Sequence, residues 1–288
     1  MRVTAFAPAK VNLYLHVTGR RADGYHLLDS LIAFADVGDC IVAERAADFS
    51  LEVSGPEAEA LVGAGKDNLV LRAARLLAAH AGIRTGAAFH LKKYLPVAAG
   101  VGGGSSDAAA TMRALRDLWR IAVDDATLRT LAAGLGADIP ACISGCAVWV
   151  GGIGERIEPA VRLPNAGILF ANPRRKLATA AVFAARRGCF SQPGRFKPIP
   201  GDLARLAEIL TLRRNDLTEA AIGLLPEIAT VLAHLATLPG ALLARMSGSG
   251  ATCFALFGDR YEAERARRVL VAAEPLWWCA AGSLVATQ

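Results

Sequence analysis

The sequence predicts an α+β protein built as two domains, and three observations carry that expectation. Phe89, Leu91 and Leu95 alternate with His90, Lys92 and Tyr94 at the period of a strand, after which Ala108, Met112, Leu115 and Trp119 recur at helical spacing. The second half mixes short β-rich runs such as 253–257 with longer helical ones, a pattern of segregated rather than strictly alternating elements. At 288 residues and 53% hydrophobic content, the chain can bury a substantial core and is long enough for one large or two modest domains.

The elements follow in order. Residues 3–17 and 33–43 read as strands on either side of a polar turn containing Asp23-Gly24. Asp67 or Asn68 caps a helix on which Leu69, Ala73, Leu76 and Leu77 share a face, and Gly82 ends it. A strand over 87–95, a glycine-rich loop and a helix over 106–120 come next, then a helix that begins at Asp124 or Asp125 and stops at Gly134. Gly136-Ala-Asp-Ile-Pro140 forms a turn, with Pro140 in the first turn of a short helix. Strands at 147–150 and 167–171 bracket a boundary near 155–165, which gives domains of 1–158 and 159–288. The Gly- and Pro-rich stretch 188–200 reads as a mobile surface loop. Helices at 202–211, 215–223, 226–237 and 260–272, a strand at 253–257 and a last strand within 276–285 complete the chain.

Composition excludes several classes. Lys and Arg exceed Asp and Glu by 32 to 26, but the basic residues are scattered. The densest clusters, Arg174-Arg175-Lys176 and Arg186-Arg187, lack the interleaved aromatics of a strand-binding groove and read as solvated surface, so no nucleic-acid partner is expected. The six cysteines show neither paired zinc-site spacing nor a compact disulfide framework, which points to reduced thiols in a cytoplasmic protein with no metal centre of its own. No apolar run approaches the roughly 20 residues that span a bilayer, so no membrane partner is expected. Monomer and homodimer both remain open.

The most informative segment is Pro96-Val97-Ala98-Ala99-Gly100-Val101-Gly102-Gly103-Gly104-Ser105-Ser106-Asp107, placed between a strand and a helix. Its glycines permit positive φ and close backbone approach, and Ser105, Ser106 or Asp107 can cap the following helix. Backbone N–H groups at such a helix start suit a phosphate. A ligand-free glycine turn is the plainer alternative, but four glycines in five positions carry an entropic cost that a simple connection need not bear. A Walker loop requires Lys directly after the last glycine, where Ser105 stands, and a dinucleotide fingerprint requires a third glycine at that position.

The loop instead resembles the ATP loop of the GHMP kinases, whose pattern is Pro-x-x-x-Gly-Leu-Gly-Ser-Ser, with Val101 in place of the leucine. Ala7-Pro-Ala-Lys-Val-Asn-Leu-Tyr-Leu-His16 and Arg20-Arg-Ala-Asp-Gly-Tyr-His-Leu-Leu-Asp-Ser30 resemble the members that act on a cytidine-diphosphate-linked methylerythritol. Gly136–Pro140 and Ser247-Gly-Ser-Gly-Ala-Thr252 extend the likeness over nearly the whole chain, weakest at 174–200. It implies a GHMP kinase fold with an N-terminal βαβ-type domain, a C-terminal α+β sandwich and an active site in the cleft between them.

The resemblance also implies ATP and Mg²⁺ as cofactors, with the ATP phosphates on the backbone of 96–106. Mg²⁺ would lie near Ser105, Ser106 and Asp107, with no side chain identified as its ligand. Asp138 is implied as the general base and Lys10 as its cationic partner. Asn12, Tyr25, His26 and Phe183 are implied on the substrate side, Tyr25 stacking on the pyrimidine and His26 bonding to its polar edge. Taken singly, Lys10 reads as a surface lysine, Asp138 as a turn or cap residue, and Tyr25-His26 as packing after a turn. Another small-metabolite GHMP kinase and a nucleic-acid-binding module are the competing readings.

Overall fold

The computed structural model describes residues 1–63, 65–197 and 200–285. In chain order the elements are β1 (Arg2–Arg20), β2 (His26–Ala46), β3 (Ser50–Ser54), α1 (Leu69–Ala81), β4 (Gly86–Lys92), α2 (Gly103–Trp119), α3 (Asp125–Ala133), α4 (Ile139–Ser144), β5 (Val148–Gly152), β6 (Arg156–Pro159), β7 (Gly167–Asn172), α5 (Thr179–Ala185), α6 (Leu203–Thr211), α7 (Thr218–Leu224), α8 (Glu227–Thr237), β8 (Leu243–Met246), β9 (Cys253–Phe257), α9 (Arg260–Ala273) and β10 (Trp278–Ser283). They fall into two compact units. The first comprises 1–9, 38–97 and 102–145, and the second 10–37, 98–101 and 146–288.

In the first unit the end of β2 pairs antiparallel with β4, and β4 pairs in parallel with β3. The β3–β4 connection crosses through α1, so this unit contains the expected βαβ arrangement. Asn68 caps α1 by accepting from Val70 N–H at 2.9 Å, and Gly82 closes it in the left-handed conformation, φ +66°. Asp124 caps α3 through Thr127 N–H. The inward stripe of α2, including Ala108, Met112 and Leu115, is fully buried. Strand β4 ends at Lys92 rather than at 95, because Tyr94 N–H and Leu95 N–H turn away from the ladder and donate to Asp39 Oδ1 at 2.6 and 2.9 Å.

The second unit holds the antiparallel pairs β2–β5 and β5–β6 and a four-stranded sheet in the order β10-β7-β9-β8, antiparallel throughout. Leu169, Ala171, Cys253, Ala255 and Phe257 alternate onto one face, where they bury against Ile228, Val231 and Leu235 of α8 and Ala263, Ala266 and Leu270 of α9. Buried Arg245 donates to the carbonyls of Leu13, Leu210 and Arg213 at 2.6 to 2.8 Å, tying β1 to the end of α6. Burial lowers its pKa to about 10, so it stays charged at neutral pH.

The stretch expected to be a mobile surface loop is irregular but fastened. Asp29 accepts from Gly194 N–H at 2.6 Å, Arg195 Nε at 3.0 Å and Tyr14 Oη at 2.8 Å, and Phe196 is buried edge-on against Trp149. Residues 198 and 199 of that stretch lie outside the described residues. Elements β3, β6, β8 and α5, all of seven residues or fewer, have no counterpart in the sequence reading. Among the described residues no helix is long and apolar enough to cross a membrane.

Candidate active site

Helix α2 begins three residues earlier than its apolar period suggests, at Gly103, inside the glycine run. Its N-cap is Gly102 at φ +65°, with no side-chain cap, so none of Ser105, Ser106 or Asp107 takes the expected capping role. The physical consequence favours a ligand. Ser106 N–H bonds to the Gly102 carbonyl, while the first-turn amides of Gly103, Gly104 and Ser105 have no helical acceptor and add to the positive end of the dipole. Such amides fit a phosphate oxygen, so the chain's own backbone suits the nucleotide that the loop pattern implies.

The side chains just beyond point elsewhere. Ser106 Oγ donates to the Pro8 carbonyl at 2.7 Å and lies 3.4 Å from Cys142 Sγ, fully buried. Asp107 is buried in an ion pair with Lys93 at 2.6 Å, and Lys93 also meets Asp39 at 2.5 Å. Burial raises Asp107 to about 7; Lys93 pulls the other way and Asp39 reinforces the rise. For Lys93 burial alone would lower the pKa, but the attraction of Asp107 and Asp39 outweighs it, and the group stays an ammonium. This triad escaped the sequence reading.

Asp138 directly precedes α4, with φ −83° and ψ −18°, and its side chain makes no cap bond to the helix. The turn is closed by Ile139 N–H to the Gly136 carbonyl, so the plain capping explanation for this carboxylate does not hold.

In the second unit, Lys10, Asn12, Tyr14 and His16 share one face of β1, and all four are buried. Lys10 Nζ donates to Asn12 Oδ1 at 2.9 Å, and Asn12 Nδ2 donates to Ser30 Oγ at 2.9 Å. The exposed-lysine alternative therefore fails, since Lys10 is 4% exposed. The middle of the glycine loop is strapped down here. Lys10 N–H donates to the Val101 carbonyl, Thr252 N–H to that of Ala99, and Ser247 Oγ to that of Gly100. Gly100 has φ +79°, and a Cβ there would stand 2.6 Å from the Ser247 carbonyl oxygen, so only glycine fits. Asn215, not foreseen from sequence, holds the supporting turn by donating from Nδ2 to the carbonyls of Met246 and Gly248.

Of the residues expected on the substrate side, the structure brings His26 and Phe183 together, ring centroids 5.3 Å apart. Burial, then Arg20 and Arg186, lower the His26 pKa and favour its neutral ring, which offers one donor and one acceptor. Tyr25 stands apart from this pair. It is 61% exposed at the end of the Arg21–Tyr25 turn, with no ring contact among the described residues.

Comparison with known proteins identifies the family. The family profile for the GHMP kinases N terminal domain matches residues 68–146, and that for the GHMP kinases C terminal domain matches 192–275. A 4-diphosphocytidyl-2-C-methyl-D-erythritol kinase of Rhodospirillum rubrum is 52% identical, covering 97% of this chain and 91% of the relative. One from Paramagnetospirillum magneticum is 50% identical over 97% of both. A crystal structure of 4-(cytidine 5'-diphospho)-2C-methyl-D-erythritol kinase superposes with a TM-score of 0.77 at 36% identity, covering 98% of each chain. Homoserine kinase of Cytophaga hutchinsonii shares the fold, with a TM-score of 0.75 at 16% identity, over 100% of this chain and 95% of its own. With about half its residues in common with these relatives along nearly its full length, the chain belongs to the 4-diphosphocytidyl-2-C-methyl-D-erythritol kinase family within the GHMP kinases.

Proposed function

We propose that the protein transfers the γ-phosphoryl group of ATP to the 2-hydroxyl of 4-diphosphocytidyl-2-C-methyl-D-erythritol, giving the 2-phosphate and ADP, a step in the non-mevalonate route to isopentenyl diphosphate. The observation that carries this reading is the near full-length identity to relatives bearing that kinase's name. The uncapped start of α2 supports the nucleotide half of it. Asp138 accepts the proton of the attacking hydroxyl, and Lys10, oriented by Asn12, stabilises negative charge on the reacting oxygens. His26 and Phe183 hold the pyrimidine, with Tyr25 as a further stacking wall.

ATP brings Mg²⁺. Among the described residues no cluster of three His, Cys, Asp or Glu is placed to cage a metal ion, so Mg²⁺ would be held chiefly by the nucleotide's phosphates at the start of α2. When bound, it neutralises charge on the phosphoryl oxygens. We assign the ATP loop and catalytic pair to residues 1–158 and the remainder to 159–288. We place the protein in the cytoplasm as a monomer or homodimer, with a small-molecule partner, no nucleic acid and no membrane.

An ADP-release assay tests the assignment. Turnover is expected with the cytidylated sugar alcohol and not with mevalonate, homoserine or galactose, and preference for any of the last three would overturn it. On the pyrimidine side, His26→Ala is expected to weaken cytidine diphosphate binding about tenfold by calorimetry, through loss of a paired ring contact and a hydrogen bond. Unchanged affinity would remove His26 from that role.

A further inference from the structure

Both ends of the glycine loop meet one buried ammonium. On the approach, Asp39 Oδ1 accepts Tyr94 N–H and Leu95 N–H, while its Oδ2 takes Lys93 Nζ at 2.5 Å. On the exit, the same Nζ reaches Asp107 Oδ2 at 2.6 Å, in the second turn of α2. The ammonium also lies directly beneath the first helical residue, 3.1 Å from where a Cβ on Gly103 would stand. The other oxygen, Asp107 Oδ1, is buried with no hydrogen-bond partner. Two carboxylates and one ammonium, none more than 2% exposed, form an unbalanced buried cluster that the phosphoryl-transfer scheme leaves unused.

We propose that Asp39, Lys93 and Asp107 form a clasp at the base of the loop that positions the amides of Gly103, Gly104 and Ser105 for the polyphosphate, and that the charge of Asp107 sets how strongly they hold it. The inference rests on the reading of 96–106 as the ATP loop. Lys93 and Asp107 are positioning residues in this scheme, since they act on the nucleotide through the backbone they hold.

The charge argument follows from the geometry. Asp107 is four residues beyond Gly103, about 6 Å along the helix axis from the amides that face the phosphate. With Asp107 protonated the cluster is neutral; with it ionised the cluster carries one negative charge, which opposes a bound anion at short range in a poorly screened interior. Because burial and Asp39 lift this carboxyl to about 7, the change falls in the working pH range. The charged groups that act on it are Lys93, after β4, and Asp39, from β2. Buried Glu57 joins this corner through its backbone N–H, which donates to the Lys93 carbonyl at 3.1 Å. By linkage, an anion that prefers the protonated form draws a proton in when it binds.

Asp107→Asn tests this, because it keeps the shape and removes the charge. In calorimetry with ATP and saturating Mg²⁺ at fixed ionic strength, wild-type affinity is expected to fall on the order of fivefold between pH 6 and pH 8.5, with a midpoint near 7. The asparagine variant should lack this fall. Near pH 7, wild type should take up protons on binding ATP, seen as a heat that depends on buffer ionisation, and the variant should take up fewer. If Asp107→Asn does not fold, Asp39→Asn carries the test by relieving the repulsion, and the wild-type midpoint should move to lower pH. The same pH slope and proton uptake in wild type and variant would overturn the clasp while leaving the ATP loop intact. Failure of wild type to bind ATP at any pH would overturn the loop assignment, and the clasp with it.

Discussion

Asp138→Asn is expected to lower kcat about a thousandfold while the KM for ATP changes no more than a few fold. The amide keeps the size of the side chain and the backbone of the turn, which is closed by Ile139 N–H to the Gly136 carbonyl and owes nothing to a cap bond from residue 138. What it loses is the ability to accept a proton. Because that ability matters only as the hydroxyl attacks, the loss belongs to the transition state and shows in turnover. Lys10→Ala should behave in the same direction, with the added loss of the bond that holds Asn12. Steady-state kinetics with both substrates varied decides the matter, and near-normal turnover in both variants would reject the assignment.

The second large effect concerns stability. Lys93→Met leaves Asp39 and Asp107 buried without their cation, and breaking a buried pair in this way costs about 3–5 kcal/mol. The shift should appear in the urea midpoint at pH 8 with little change in slope. The pH dependence has a definite sign. The folded pKa of Asp107 lies near 7, above the ordinary value of 3.8, so the native state binds the extra proton between those values and wild-type stability from this group falls as pH rises across that window. Without the ammonium the carboxyl rises further, and the fall should continue to higher pH. A Met variant as stable as wild type at pH 8 would show that the triad does not behave as a linked set.

What the sequence disclosed depended on whether the signal was local. Asn68, Gly82 and Asp124 sit where short-range rules place them, and the helical period of Ala108, Met112 and Leu115 marks the buried face of α2. The glycine run was likewise readable, because its signal lies within a few consecutive residues. The Asp39–Lys93–Asp107 triad was not. Its members are 54 and 14 residues apart, and a lysine at the end of a strand looks like any surface lysine. The anchors of residues 191–196 were hidden for a related reason. Gly and Pro report turns, but the anchor of this segment, Asp29, lies 165 residues before Gly194. Arg245 and Asn215 hold carbonyls that no residue pattern marks, and β6 and β8, of four residues each, are too short for a period to show.

The way the chain threads its two units also bears on how it matures on the ribosome. The first unit has all its residues once Gly145 has been made, whereas the second takes in Lys10–Val37 and also β8, β9 and β10, which lie beyond residue 242. Val285 N–H donates to the carbonyl of Phe34, and β10 supplies the edge of the sheet that β7 and β9 share. The early strands of the second unit, with apolar residues such as Leu31 and Phe34 that end up buried, are therefore synthesised long before β9 and β10, and that unit cannot close its sheet until those strands have been made.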